Sequence, residues 1–133
     1  MADVAPVVRH LLVCEDLIRD PTNPQRVTLV NLIGHIRSPF QPPFPYRREE
    51  LCVFVQLTEG RGVGDVWIAV EQADTERTIL RNPTHRVSFS PNPVEVAGLS
   101  FRIRKWTFPS PGLYWVQFWY NGTMLAREPI ILE

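Results

Sequence analysis

The sequence has no surplus of charge of either sign. Fourteen acidic and fourteen basic side chains cancel, which removes the electrostatic argument for nucleic acid or an anionic membrane surface as a partner and leaves a neutrality that favours self-association. Cysteine is scarce: Cys14 and Cys52 both lie in apolar runs, where a free thiol acts as a small hydrophobe, and two thiols alone cannot build a metal site. No apolar run approaches the ~20 residues that cross a bilayer. The opening MADVAPVVRHLLVCEDL has an acidic third residue and charges after a short apolar run, not the basic-then-apolar order of a signal peptide. We therefore expect a cytoplasmic protein with no membrane partner, in which Asn121-Gly122-Thr123 is turn chemistry and not a glycosylation acceptor. Internal repeats and long linkers are missing too, so residues 1–133 are read as one domain.

Catalytic signatures are equally absent. There is no G-x-S-x-G elbow, and Ser38, Ser88, Ser90, Ser100 and Ser110 sit mostly in proline-rich contexts with no recognisable histidine partner. Gly60 to Gly64 lacks the Lys-Ser/Thr ending of a phosphate loop and joins two strand-like runs. His10, His35 and His85 fall in three different strand regions without ligand spacing. Glu15-Asp16 and Glu49-Glu50 are adjacent, and neighbouring strand residues point to opposite faces, so neither is a paired acid and base. We expect a protein that is not an enzyme and holds no cofactor. The most distant alternative is a metal-assisted hydrolase assembled from His10, Glu15, Asp16 and His35.

What is present is proline and aromatic residues. Thirteen prolines are about twice the usual ~5% share, and proline breaks helices while tolerating turns and edge strands. The fold class that follows is all-β, an immunoglobulin-like or jelly-roll β-sandwich of about eight strands. Val7 to Ile18 is the first strand, ending at a turn over Asp20-Pro21-Thr22-Asn23-Pro24, and Arg26 to Arg37 is the second. Ser38 to Tyr46, with Pro39, Pro42, Pro43 and Pro45, is a stiff crossover whose Phe40, Phe44 and Tyr46 cap the sandwich, the alternative being a polyproline segment offered to an aromatic groove.

Leu51 to Thr58 alternates with a period of two, and Gly60 to Gly64 turns it into Asp65 to Ala73 as a hairpin. Arg77 to Phe89 is a strand broken at Asn82-Pro83, which marks an edge or bulge. Leu99, Phe101 and Ile103 alternate with Ser100, Arg102 and Arg104; the latter pair, with Lys105 and Trp106, are read as a solvated sheet face and not a nucleic-acid patch. The chain closes with a hairpin over Gly112 to Glu133, turned by Asn121-Gly122, the dipeptide best suited to a type I′ turn. Gly112-x-Tyr114-x-Val116 has the spacing of a tyrosine corner.

The stretches LLVCED, RVTLVNLI, ELCVFVQLTEGRG, FRIR and FPSPGLYWVQFWYNG resemble an uncharacterised family of bacterial proteins, a domain of unknown function, across most of the chain. The resemblance implies a bacterial origin and brings no activity, cofactor or catalytic residue.

Function is therefore sought in strand parity. If Val66, Ile68, Val70, Tyr114, Val116 and Phe118 face a core, then Trp67, Trp115 and Trp119 must face outward, joined by Phe54. Each aromatic buries about 150–250 Å², so four together rival the ~300–600 Å² of the largest apolar patch on a typical monomer. The cover is the protein's own proline loop or N-terminal segment, a second copy in a homodimer, or a ligand or another protein. The expected function is a non-catalytic binding or assembly module, with a carbohydrate or small-ligand binding module as the alternative.

Overall fold

The structure, a computed structural model, describes residues 3–23, 25–92 and 95–133; Pro24 of the expected first turn lies outside them. Ten strands among the described residues form two layers, antiparallel except where β3 pairs with β10. The four-stranded sheet runs β2 (Val27–Leu32), β1 (Val7–Arg19), β4 (Tyr46–Thr58), β8 (Ala97–Phe108). The six-stranded sheet runs β3 (His35–Ile36), β10 (Thr123–Leu132), β9 (Gly112–Tyr120), β5 (Val63–Gln72), then β6 (Arg77–Arg81), with β7 (His85–Ser88) also paired to β5.

The alternation in the sequence sets which side chains meet between the layers. Leu51, Val53, Val55 and Leu57 of β4 face Val66, Ile68 and Val70 of β5 and Tyr114, Val116 and Phe118 of β9, all of them buried. Each such aliphatic or aromatic side chain contributes about 1.5–3 kcal/mol by leaving water. On β8 the inward row changes parity, from Phe101 and Ile103 to Trp106 and Phe108. Lys105 lies between them at φ 61°, a left-handed residue at which the alternation of β8 reverses while its register with β4 is kept. Trp106 thus enters the core, its indole N–H donating to the Ile103 carbonyl at 2.7 Å, and takes no part in a surface basic patch.

The closing hairpin forms as its turn dictates, with Asn121 at φ 47° and Gly122 at φ 80°. At its start the buried Tyr114 hydroxyl donates to the Ser110 carbonyl at 2.6 Å and accepts from the Ser110 N–H at 3.3 Å, a tyrosine corner that ties β9 to the preceding loop. The proline segment closes one end of the sandwich: Tyr46 is buried, Phe44 packs against the core, and the Phe40, Tyr46 and Phe108 rings follow one another at 5.9 and 6.2 Å.

Two expected connections differ. The second strand is split, its first part pairing with β1 and its second, β3, crossing to run parallel to β10; Asn31 at φ 54° breaks the pleat ahead of the crossing. β4 and β5 do not form a hairpin. Both edges of β4 are taken by β1 and β8, and both edges of β5 by β9 and by β6 with β7, so Glu59 to Gly62 carries the chain between layers instead.

Candidate functional site

Three of the four expected site residues come together on the outer face of the six-stranded sheet. Trp67 and Trp119 are register partners on β5 and β9, and their rings stack at 5.8 Å with planes 8° apart. The stack continues in strand order. Met124 of β10 lies opposite Trp119, and the Arg81 guanidinium of β6 sits 4.2 Å from the centre of the Trp67 ring. The result is a cross-strand row, Met124, Trp119, Trp67, Arg81, in which the Trp67 indole is held between Trp119 and Arg81. Further along β9, Arg127 of β10 stacks on Trp115 at 3.8 Å.

These rings are half-buried because they bury each other. Gln117 lies beneath them, buried, and accepts the Trp119 indole N–H at 3.0 Å. Leu113 and Ile131, register partners at the end of the same face, are exposed. Neither the proline segment nor the N-terminal strand provides the cover; two arginines and the row itself do.

Phe54 does not join them. Parity does turn it outward, but β4 belongs to the other sheet, so Phe54 lies on the opposite outer surface with Cys14, Leu17, Cys52, Val27 and Leu29. Alternation along a strand decides in or out; it carries no information about which layer the strand enters.

On that opposite surface Cys14 and Cys52 are register partners, both buried and both free. Burial pushes both thiols above their ordinary range, and for Cys14 the neighbouring Cys52 adds to the effect. Arg102 lies over them, 3.7 Å from the Cys52 Sγ, and donates to Asp16 Oδ1 at 2.7 Å and to the Leu17 carbonyl at 2.6 Å. The hydrogen bond from Arg102 holds the Asp16 carboxyl below its usual range. Glu15 is likewise lowered, by the Asn31 amide at 3.1 Å and then by Arg48 at 3.4 Å.

The residues considered for a metal site do not assemble. Glu15 and Asp16 are directed at arginines, His35 pairs with Glu133 at 3.3 Å on the β3 edge, and His10 is exposed on β1. Among the described residues no three His, Cys, Asp or Glu side chains form a ligating group.

Sequence reasoning missed a cleft of about 580 Å³ that opens where β8 faces β6 and β7. The signals were the break at Asn82-Pro83 and the outward Arg102 and Arg104. The buried Asn82 stands at the break, its side-chain Oδ1 accepting the Ile68 N–H at 2.6 Å and its own N–H donating to the Ile68 carbonyl at 3.0 Å, so it replaces the strand that is interrupted there.

The profile of a family described as "Family of unknown function (DUF6941)" matches residues 11–133. No curated protein matches the chain. Among solved structures the chain is similar to a β-glucosidase from Listeria innocua in complex with isofagomine, with TM-score 0.47 and 8% identity over 96% of this chain and 16% of that one. It is also similar to a second structure of β-glucosidase from Listeria innocua, with TM-score 0.46 and 9% identity over 75% of this chain and 14% of that one. The chain thus spans a small part of the length of those proteins.

Proposed function

The chain belongs to the family of unknown function DUF6941, and we propose that it acts as a non-catalytic binding or assembly module whose working surface is the outer face of the six-stranded sheet. The observation that carries this reading is the orientation of the indoles. Because Trp67 is stacked between Trp119 and Arg81, and Trp115 against Arg127, Trp67 has both ring faces covered, and Trp115 and Trp119 have one each. A sugar ring stacks on an open aromatic face; a protein surface packs against edges and the aliphatic side chains beside them. Exposed Leu113, Met124 and Ile131 extend the same face, and tryptophan and arginine are the residues that most often dominate protein interfaces.

The occupant we favour is a second copy of this chain, since a twofold axis sets one apolar patch against itself and the chain has no net charge to oppose it. Light scattering across a dilution series tests this. Self-association is expected, and Trp115→Lys is expected to weaken it by more than about tenfold, the scale of an interface hot spot. Ile131→Lys, on an exposed side chain at 47%, serves as a second variant that leaves the stacked row intact. A wild-type chain that remains monomeric at every concentration would reject self-association.

A further inference from the structure

The cleft between the layers has a chemistry of its own. β8 is the edge of one sheet, and β6 with β7 the edge of the other. The opening between them, about 580 Å³, falls within the ~300–1,000 Å³ typical of small-molecule sites. Its floor is apolar: Val66, Leu80, Val87, Leu99, Phe101 and Ile103 line it, and all pack in or against the core.

Arginines border the opening. Arg81, Arg86, Arg102 and Arg104 line the cleft together with His85, and no Asp or Glu does, although acidic and basic side chains are equal in number over the whole chain. Three of these arginines are engaged: Arg81 on Trp67, Arg86 with Asp65 at 3.4 Å, Arg102 with Asp16 at 2.7 Å. Arg104 faces Glu50 across the ladder yet forms no ion pair among the described residues. A neutral apolar molecule would fill the floor and leave the guanidinium without an acceptor; inorganic phosphate would do the reverse. An extended peptide along the β8 edge fits poorly, because the His85 ring packs on Phe101 at 5.7 Å and β6 approaches β8, so the gap is interrupted.

We propose that this cleft binds a small organic anion with an apolar body, an aliphatic or aromatic carboxylate or sulfonate, its acid group held by Arg104 and its body on the floor around Leu99 and Phe101. Bidentate guanidinium-to-anion hydrogen bonds are the strong class for such recognition, and a buried apolar body supplies the rest.

The test titrates the full chain by calorimetry with decanoate, with anilinonaphthalene sulfonate and with uncharged decanol. Both anions are expected to bind at least about tenfold more tightly than decanol, and more weakly as salt is raised. Arg104→Glu is expected to remove at least about tenfold of the anion affinity. Arg104→Gln keeps a side chain of similar length and guards against a folding defect, with circular dichroism checking the fold of each variant. Arg37→Glu makes the same charge change at the opposite edge of the six-stranded sheet and is expected to leave the affinity unchanged. Failure of both anions to bind, equal affinity for decanol, or full retention of affinity in both Arg104 variants would each overturn the proposal.

Discussion

Replacing Asn82 by alanine isolates one hydrogen bond at the break between β6 and β7. The side-chain oxygen is the acceptor for the Ile68 N–H at 2.6 Å, and Ile68 is fully buried in the middle of β5. The backbone bond from the Asn82 N–H to the Ile68 carbonyl at 3.0 Å survives in Asn82→Ala, so one donor is stranded without water to receive it. A buried unsatisfied amide costs about 1–3 kcal/mol. With an unfolding entropy of about 2.1 cal/mol/K per residue, the chain's 133 residues give about 0.28 kcal/mol/K and a fall in Tm of about 4–11 °C. Calorimetry reads the first quantity, and amide hydrogen exchange reads the second consequence, loss of protection at Ile68. Asn82→Asp keeps an acceptor in place and is expected to recover most of that protection. An alanine variant with unchanged Tm and unchanged Ile68 exchange would show that the side chain does not stand in for the missing strand.

Other expectations follow from geometry already described. Tyr114→Phe removes the hydroxyl that both donates to and accepts from Ser110; urea unfolding is expected to show a loss of about 1–3 kcal/mol, and an unchanged midpoint would mean the corner is ornamental. Cys14 and Cys52 have raised pKa values, chiefly from burial, so the folded state holds their protons more tightly than the unfolded state. The associated stability is fully present below the ordinary thiol range and declines as pH rises through it. Disulfide reagents are therefore expected to react far more slowly with the native protein than with the chain in urea, and equal rates would contradict the burial of these thiols.

Much of the fold was legible because strand parity is a local property. The inward rows Val66, Ile68, Val70 and Tyr114, Val116, Phe118 are buried as their spacing requires, and Asn121-Gly122 adopts the turn its composition favours. Pairing between distant strands was not legible. Nothing within Leu51 to Ala73 reveals that β4 is flanked by β1 and β8 while β5 is flanked by β9 and β6, so a hairpin was expected where the chain changes layers. The same gap misplaced Phe54. Its outward direction was correct, yet it shares a surface with Cys14 and Leu17, across the sandwich from the tryptophans. The cleft was hidden for a related reason, since Arg81 and Arg104 lie on strands of different sheets and border one opening only when the layers close.

Arg81 belongs to two surfaces at once, its guanidinium resting on Trp67 while its side chain helps border the opening between the layers. Whatever draws that cation toward the opening must loosen its hold on the indole, and whatever presses on the indole must alter how freely the cation can swing. Thermodynamic linkage makes this influence equal in both directions. A single flexible side chain would then let one compartment of the molecule sense occupancy in the other without any strand moving.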